Sequence, residues 1–519
     1  MFSLGAILPY AEGIFHNLLG RYILLFFLFF RSYFFQIAIL VSFIFLFRLI
    51  FVFLGYYKKW KKALKFYSQL NIEKVLNLAS RKKKELPSFT IFIPAREEAL
   101  VIRKTLLKMT EINYPLEKME IVVITDEKER LKRKKGEKIT QEETDKAIKE
   151  LNKKKPELKI HHLEVPFDFD GKLFGQRINQ EVPSTKGRAL NYGLTYFHSS
   201  DFCAFFDTDD YPDKNCLLAV AYEYLKDEKK VLFQLPIFQC RNFWSISTFS
   251  KVISLGQALT HEIFLPWILS WLPFLGGTNF FIKTEYLLKI EGFKLDSITE
   301  DLELGVRLYL KENIWPSFLP LASSEQTPSN FFQYFRQRQR WGLGQMKVLK
   351  DLREIKNNQK IDKKIREKAY HLLIKLIFYG PLEWLIYFAI SLFSSLTLFF
   401  SLFKGLAVFL YLNNFSAFKD PNFLIDKSLN SLFFFLKVSS LLIVFTSYLY
   451  FRYRRYISFP RFSLNFLKQI LKTFLEAVFI LPLVLFLYPL PFVSAFFKYF
   501  LSFKKKEVLW IKTPRTAEN

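Results

Sequence analysis

Two strongly apolar blocks lie towards opposite ends of the 519-residue chain, and they limit the folds open to it. Residues 22–57 are almost continuously apolar, interrupted by Arg31 and Arg48. The second block begins near Leu382 and continues in pieces to Phe503. About 20 apolar residues suffice to cross a bilayer, so both blocks are long enough to hold membrane helices. The charges crowd between the blocks, which predicts a water-exposed domain held between membrane segments.

Composition divides the chain into six parts. Phe34–Gly55 is the best single span of the first block, which is too long for a cleavable signal peptide and lacks a small-residue cleavage site. The apolar pieces of the second block, 382–412, 431–451 and 474–503, bring the prediction to four to six membrane helices in all. The predicted boundaries are 1–60 for the N-terminal membrane segment, 61–85 for a basic connector, 86–346 for the water-exposed domain, 347–380 for an interfacial helical connector, 381–503 for the C-terminal membrane helices and 504–519 for a tail.

The charge of the chain is strongly positive, with 75 Lys and Arg residues against 48 Asp and Glu residues, or +27 net. Cytoplasmic loops of membrane proteins carry such an excess, and anionic lipid headgroups attract it. Basic runs at 58–84, 452–461 and 504–506 therefore place the connector, one loop and the tail in the cytoplasm. We expect an integral protein of the cytoplasmic (inner) membrane, with membrane lipids as partners. A nucleic-acid-binding membrane protein would carry a similar charge, but no nucleic acid is expected as a partner.

The middle of the chain has short apolar runs that alternate with helical stretches. The runs predict strands at Phe89–Ile93, Glu120–Ile124, Leu158–Val165, Phe202–Phe206 and Val231–Leu235. This alternation is typical of an α/β domain with a Rossmann-like, mostly parallel sheet. Residues 127–155 are nearly all Lys, Glu, Arg and Thr, which predicts a solvated helix pair or a mobile loop without chemistry.

Polar residues follow the first two predicted strands at the point where each strand ends. The first strand continues into Pro94-Ala95-Arg96-Glu97-Glu98, and the second ends at Asp126. Ligands of open α/β sheets bind at the carboxyl ends of the strands. Pro94 and Glu97 are therefore candidate nucleotide contacts, and Asp126 could accept a hydrogen bond from a base or ribose. A structural turn and a solvated turn residue are the alternatives.

The most specific acidic motif is Asp-Thr-Asp-Asp at 207–210, directly after the apolar run that ends at Phe206. Residues two apart in a strand point the same way, so Asp207 and Asp209 are expected to project together. Two carboxylates so placed can hold Mg²⁺ or Mn²⁺ and leave open positions for a diphosphate. The ion would neutralise the charge of a departing nucleotide. An acidic turn is the alternative, although buried like charges repel without a cation.

Three further turns carry residues that could bind other parts of a ligand with a diphosphate group. Lys186 precedes a predicted helix, where an ammonium group and a helix N-terminus together suit a phosphate. Gly277 and Thr278 belong to Gly-Gly-Thr-Asn at 276–279, which would let the backbone approach a sugar closely. Glu300 and Asp301 open another predicted helix, and an ionised Asp301 could take a proton from an attacking hydroxyl. Each motif taken singly also fits a basic turn, a structural turn or an N-cap.

The last motif is Gln-Arg-Gln-Arg-Trp at 337–341, within a basic and aromatic stretch. Arg340 could clamp a diphosphate, and Trp341 could stack on a sugar ring at an acceptor site. Gln337 begins the motif. An interfacial membrane helix would also be rich in Arg and Trp.

The order of these motifs resembles that of a known family. Asp126, then DTDD at 207–210, TED at 299–301 and QRQRW at 337–341 are similar to the D, DxD, TED, QxxRW series of membrane-bound family 2 glycosyltransferases. That group contains the cellulose, chitin and hyaluronan synthases. The resemblance covers residues 89–346 and includes GGTN at 276–279. The segment Trp-Ile-Lys-Thr-Pro-Arg at 510–515 also resembles the W-x-K-T-x-R ending of several bacterial exopolysaccharide members.

The resemblance implies an inverting hexosyltransferase with a GT-A nucleotide-sugar domain, a Mg²⁺ or Mn²⁺ ion and a β-linked product. It implies a nucleotide-sugar donor, first of all a UDP-sugar, and a growing glycan or lipid-linked acceptor at the cytoplasmic membrane face. Coupled export is implied as well, with an export protein as a further candidate partner. Carried over residue by residue, the donor site takes Pro94, Glu97, Asp126, Lys186, Asp207 and Asp209, the metal takes Asp207 and Asp209, the general base is Asp301, and the acceptor and pyrophosphate group takes Gly277, Thr278, Glu300, Gln337, Arg340 and Trp341.

Two other functions compete with a polymer-forming synthase. The nearer one is a transferase that places one sugar on a lipid acceptor. The distant one is a transporter with a cytoplasmic regulatory domain. Glu383 and Glu476 are the obvious intramembrane acids in the sequence, and both lie near predicted helix ends, which argues against a transporter.

Overall fold

The computed structural model describes residues 50–133, 136–412, 421–501 and 515–516, together with residues 44, 47 and 48. The chain forms two compact units, residues 1–54 and residues 55–519, and the features below belong to the second. Of the best predicted span of the first block, 34–55, the structure describes residues 44, 47, 48 and 50–55. The predicted tail at 504–519 lies outside the described residues except for Arg515 and Thr516.

A mostly parallel sheet forms the centre of the second unit. The described residues form strands β1 (Phe89–Pro94), β2 (Met119–Asp126), β3 (Lys159–Val165), β4 (Phe202–Phe205), β5 (Leu232–Gln234), β6 (Ile237–Gln239), β7 (Phe280–Lys283), β8 (Ser317–Phe318) and β9 (Ser323–Glu325). Seven of them make one sheet in the order β3-β2-β1-β4-β7-β5-β8, in which β7 alone is antiparallel to its neighbours. Strands β6 and β9 pair in parallel as a separate sheet. The predicted α/β class is confirmed, and each predicted strand lies within one or two residues of its position.

Helices cover both faces of the sheet and continue into the C-terminal part. Those of the sheet domain are α1 (Ile72–Lys82), α2 (Ile102–Met109), α3 (Glu127–Leu131), α4 (Thr140–Lys154), α5 (Lys186–Tyr196), α6 (Cys216–Lys226), α7 (Thr248–Leu259), α8 (Leu265–Trp271), α9 (Thr284–Lys289) and α10 (Glu300–Glu312). Those that follow are α11 (Phe331–Asn357), α12 (Lys363–Ile377), α13 (Glu383–Leu412), α14 (Pro421–Tyr453), α15 (Leu464–Leu487) and α16 (Leu490–Leu501). Short 3₁₀ turns occur at Leu116–Lys118, Phe243–Ser245 and Arg454–Tyr456, π turns occur at Thr260–Phe264 and Phe378–Leu382, and residues 55–68 are helical.

The strands are apolar throughout because each face of the sheet has its own core. Successive side chains of a strand point to opposite faces. In β1, Phe89, Ile91 and Ile93 lie in one buried cluster, and Phe92 lies in the other with Phe205 of β4. Parallel strands covered on both sides therefore appear in the sequence as continuous apolar runs.

The charged insertion at 127–155 forms a helix pair, one of its two predicted alternatives, and it braces the sheet edge. Leu151 of α4 is buried in the main core. The side-chain amide of Gln141 donates to the Asp126 carbonyl at 2.8 Å, and Glu129 accepts from the Glu97 amide at 2.8 Å. The insertion thus holds the loop after β1 and the end of β2, although it was assigned no chemistry.

Among the described residues, three helical stretches are long and apolar enough to cross a membrane: Thr248–Trp271, Lys363–Leu396 and Leu432–Tyr456. The first lies inside the predicted water-exposed domain and was not predicted as a membrane helix. The predicted total of four to six membrane helices stays a prediction. Within the last apolar block the chain breaks at Pro489, between α15 and α16, because proline lacks the amide that would continue the helix.

Gly305→Ala is expected to lower the free energy of unfolding by about 1–3 kcal/mol, the usual cost of overpacking. A Cβ at Gly305 of α10 would lie 2.1 Å from the Pro273 carbonyl oxygen, so the helix must move off the loop that leads to Gly277. Gly256→Ala in α7 is the matched control, since its Cβ would meet nothing within 4 Å. Thermal unfolding in detergent measures both variants. An unchanged midpoint for Gly305→Ala would contradict the close packing of α10.

Candidate active site

A cavity of about 360 Å³ opens at the carboxyl ends of β1, β2 and β4. This is the edge where an open α/β sheet binds its ligands. Most residues singled out from the sequence line it: Pro94, Asp126, Lys186, Asp207, Gly277, Thr278, Glu300, Asp301, Gln337, Arg340 and Trp341. The fold therefore gathers motifs that lie up to about 250 positions apart in the chain.

The loop after β1 turns Glu98 towards the cavity in place of Glu97. Glu97 has a φ of +56°, is exposed, and does not line the cavity. Its neighbour Glu98 is 4% exposed and does line it. The Glu98 amide donates to the Thr140 hydroxyl at 2.7 Å, which fixes the loop against α4. The carboxylate that faces the cavity is therefore Glu98, one residue after the predicted Glu97.

Three carboxylates, those of Asp207, Asp209 and Glu325, meet within 4.8 Å of one another. Strand β4 ends at Phe205, so the two aspartates come together in a tight turn, in which the Asp210 amide donates to the Asp207 carbonyl at 3.0 Å. Burial raises the pKa of Asp209, although the Arg515 guanidinium opposes this shift. Burial also raises the pKa of Glu325, and the neighbouring aspartates add to the rise.

The fourth residue of the DTDD motif is structural. The Thr278 hydroxyl donates to a carboxylate oxygen of Asp210 at 2.5 Å and accepts from the Asp207 amide at 3.0 Å. Burial raises the pKa of Asp210 to about 7. Thr278 therefore ties the turn after β4 to the glycine-rich turn before β7.

Lys186 stands between the acidic turn and the glycine-rich turn. The Thr185 hydroxyl caps α5, which begins at Lys186. The Lys186 ammonium donates to the Gly277 carbonyl at 2.7 Å and forms an ion pair with Asp207. Burial alone would lower the pKa of Lys186, but the nearby carboxylates of Asp207 and Glu300 raise it above its ordinary value. The side chain is therefore a fixed cation of the cavity.

Asp126 lines the cavity at the carboxyl end of β2. One carboxylate oxygen accepts from the buried Arg188 guanidinium at 3.2 Å, and the other accepts from the Lys128 amide at 3.0 Å. Asp126 thereby caps α3. These two hydrogen bonds hold the Asp126 carboxylate in place at the cavity wall.

Asp301 lies in the first turn of α10 and lines the same cavity. The Leu302 amide donates to one of its oxygens at 2.8 Å. The other oxygen would lie 2.9 Å from a Cβ at Gly277, whose φ of +81° is accessible to glycine at little cost. Loss of solvent and the Glu300 carboxylate raise the pKa of Asp301 to about 7. A carboxylate with this pKa is suited to general base catalysis near neutral pH.

Helix α11 presents the Gln-Arg-Gln-Arg-Trp motif to the cavity. Gln337, Arg340 and Trp341 share one face because they are three and four residues apart. The Gln337 side-chain oxygen is buried and has no hydrogen-bond partner within the described part of the chain. Arg338, which does not itself line the cavity, donates to the Gln239 side-chain oxygen at 2.7 Å, and its guanidinium carbon lies 3.8 Å from the Trp341 ring centroid. The stacking of Arg338 fixes the orientation of the tryptophan.

Four charged residues that line the cavity were not predicted as site residues: Arg96, Glu98, Glu325 and Arg515. Arg515 donates to Asp209 at 2.8 Å and to Glu98 at 3.2 Å. The next residue, Thr516, is held by Gln326, whose side-chain oxygen accepts from the Thr516 amide at 2.9 Å. The W-x-K-T-x-R resemblance at 510–515 was the available signal for Arg515.

The carboxylate cluster has the chemistry of a divalent metal site. Hard oxygen donors are the ligands that Mg²⁺ and Mn²⁺ prefer. One oxygen of Asp209 and one of Glu325 are buried without a hydrogen-bond partner among the described residues. A cation would satisfy both oxygens and relieve the repulsion between the carboxylates. These residues therefore fit the predicted ion.

Comparisons with known proteins point to one family. The family model "Glycosyl transferase family group 2" matches residues 204–498, more than half of the chain. The chain is 26% identical to a probable glycosyltransferase, YdaM, of Bacillus subtilis, over 51% of the chain and 57% of that protein. It is 23% identical to a cellulose synthase catalytic subunit of Pseudomonas fluorescens, over 51% and 32%. It is 26% identical to a beta-monoglucosyldiacylglycerol synthase of Trichormus variabilis, over 50% and 49%. The chain thus spans less than two thirds of each relative.

Proposed function

The chain belongs to glycosyl transferase family group 2, and from this premise we propose that its cavity transfers a sugar, with inversion, from a nucleotide-sugar donor to an acceptor hydroxyl. The observation that carries the proposal is that Asp301 and Asp207 line one cavity, while Asp209, which does not line it, joins Asp207 in the carboxylate cluster. Direct displacement needs one base and stabilisation of the leaving group, and it needs no protein nucleophile.

Asp301 acts as the general base. It takes the proton of the acceptor hydroxyl while that oxygen bonds to the anomeric carbon of the donor sugar. The bond from this carbon to the diphosphate oxygen breaks, and the nucleoside diphosphate leaves with the electron pair. With a pKa near 7, a large share of Asp301 is ionised at neutral pH.

The acidic turn and the nearby cationic side chains serve the leaving group. Asp207 and Asp209 would hold Mg²⁺ or Mn²⁺, which supplies positive charge to the departing diphosphate. Lys186, Arg340 and Arg515 line the same cavity and add fixed positive charge for the phosphates. Preorganised charge of this kind lowers the barrier because it need not reorient during the reaction.

The remaining cavity residues would bind the nucleoside, the donor sugar and the acceptor sugar. Asp126 and Pro94, which both line the cavity, would bind the nucleoside, with the Asp126 carboxylate as a hydrogen-bond acceptor. Gly277 and Thr278 form the floor beneath the donor sugar. Trp341 is a stacking surface for the acceptor sugar, and the buried Gln337 oxygen is an acceptor for a hydroxyl.

For the product we propose a polysaccharide made processively at the cytoplasmic face and exported across the membrane. The cellulose synthase relative and the apolar helices after α11 support this. Transfer of a single sugar to a lipid is the second candidate, supported by the likeness to a beta-monoglucosyldiacylglycerol synthase. Sizing the product separates the two candidates, since one gives a ladder of long glycans and the other a single glycolipid.

The test is nucleotide release by detergent-purified protein. UDP-glucose, UDP-N-acetylglucosamine and GDP-mannose are offered in turn with Mg²⁺ or Mn²⁺, and each reaction is repeated with EDTA. We expect one donor to give release that EDTA abolishes. Donor binding is measured in parallel by calorimetry. Failure to bind any nucleotide sugar, with or without metal, would contradict the proposed function.

A further inference from the structure

The geometry points to Glu325 as a third protein ligand of the divalent cation, beside Asp207 and Asp209. This inference rests on the metal site of the proposed function and adds a residue to it. Glu325 belongs to β9, in a separate two-stranded sheet rather than in the turn that carries the aspartates. The cation would therefore join two segments of the chain that are more than a hundred residues apart.

Backbone contacts hold β9 against the acidic turn. Tyr211, next to the DTDD motif, exchanges two backbone hydrogen bonds with Ser324, both of 3.0 Å. On the other side of Glu325, the Gln326 amide donates to Asp209 at 3.0 Å. Residues 324 and 326 are thus both bonded to the 209–211 segment. The position of Glu325 relative to Asp209 is fixed by the fold.

The two carboxylate oxygens of Glu325 differ in their contacts. The Gln239 amide donates to one carboxylate oxygen at 3.2 Å, and Gln239 in turn accepts from Arg338 at 2.7 Å. The second oxygen is buried and has no hydrogen-bond partner within the described chain. Since Glu325 lines the cavity, this oxygen is available to a ligand there. Metal ligands are typically oriented in this way by a second hydrogen bond.

Among the described residues, Glu325 is the member of the cluster that forms no ion pair with a Lys or Arg side chain. Asp207 forms an ion pair with Lys186, and Asp209 forms one with Arg515. Glu325 is only 5% exposed, and the Arg515 charge acts on it at longer range while the carboxylates of Asp207 and Asp209 repel it. A buried carboxylate is costly unless it is paired. A divalent cation bound between the three carboxylates would provide a direct partner.

Replacing the Glu325 carboxylate by an amide separates a structural role from a metal-binding role. Glutamine is close in shape to a protonated glutamate and can still accept from Gln239. Glu325→Gln should therefore leave Mn²⁺ binding intact if the residue is structural, and weaken it if the carboxylate is a ligand. We expect the dissociation constant for Mn²⁺ to rise about tenfold or more.

Mn²⁺ binding to detergent-purified full chain is followed by the loss of the free-ion EPR signal, with and without UDP. Asp209→Ala is the positive control. Glu223→Gln is the matched control, because Glu223 is equally buried (5% exposed) but is bonded to Tyr67 and Lys230 away from the cavity. Thermal unfolding confirms that each variant is folded. This readout does not depend on turnover.

The outcomes separate the inference from the function on which it rests. Weakened Mn²⁺ binding in both Glu325→Gln and Asp209→Ala, with Glu223→Gln unchanged, supports Glu325 as a ligand. Wild-type affinity in Glu325→Gln beside a weakened Asp209→Ala would overturn the inference and leave the proposed metal site standing. Unchanged affinity in both variants, or no Mn²⁺ bound by the wild type even with UDP, would remove the metal site itself.

Discussion

Asp301→Asn is expected to lower the rate of sugar transfer about 10²–10⁴-fold while donor binding is retained, the range for loss of a general base. Asparagine keeps the size and the hydrogen bond from the Leu302 amide, but it cannot accept the proton of the acceptor hydroxyl. Initial rates of transfer and calorimetric donor binding measure the two effects. Asp296→Asn is the matched control, since Asp296 is exposed and forms an ion pair with Lys347. Transfer near the wild-type rate in Asp301→Asn would remove Asp301 from the mechanism.

The same residue sets an expected pH dependence. The base must be ionised, and the pKa of Asp301 is about 7. Below this pH the carboxyl group is protonated and inactive, so kcat/KM should rise with pH through about 7 and level off above it. The residual activity of Asp301→Asn should lack this rise. A wild-type profile that falls between pH 6 and 8 would contradict the assignment.

Asp209→Ala is expected to lower metal-dependent nucleotide release about 10²–10³-fold, the range for loss of one electrostatic stabiliser. The variant loses a carboxylate of the metal cluster and leaves Arg515 without its 2.8 Å partner. Release is measured against Mn²⁺ concentration with the donor that the screen identifies. Asp227→Ala, at an exposed aspartate after α6, is the control.

Two patterns would contradict this expectation. If nucleotide release by Asp209→Ala requires the same Mn²⁺ concentration as the wild type, Asp209 does not bind the ion. Release that becomes metal-independent at the wild-type rate would show that the fixed cations suffice for the leaving group.

The strands and motifs were predictable because their signals are local. The apolar runs of β1, β2 and β4 follow from burial on both faces, and the polar residues after them follow from the rule that ligands bind at carboxyl ends. Asp207 and Asp209 were predicted to project together from strand geometry. They do come together, but through a turn, since β4 ends at Phe205.

The parts of the fold and the site that were not predicted depend on features without a clear local signal in the sequence. Whether Glu97 or Glu98 faces inward depends on a single positive φ at Glu97. Glu325 lies in the three-residue strand Ser323–Glu325, which contains no apolar residue, so neither periodicity nor spacing singles it out. The helical stretch Thr248–Trp271 carries Lys251 and Glu262, which interrupt its apolar pattern in the sequence.

Arg515 has a consequence for the biosynthesis of the protein. It joins Glu98 and Asp209 across 417 and 306 positions of the chain. During translation the sheet and the acidic turn leave the ribosome long before this arginine, and helices α11 to α16 are made in between. A nascent chain that has already folded its sheet therefore still lacks one of the cations that line its cavity. The donor end is complete only after the helices that follow α11 have been made, so assembly of the catalytic domain and of the C-terminal helices is linked by the order of synthesis.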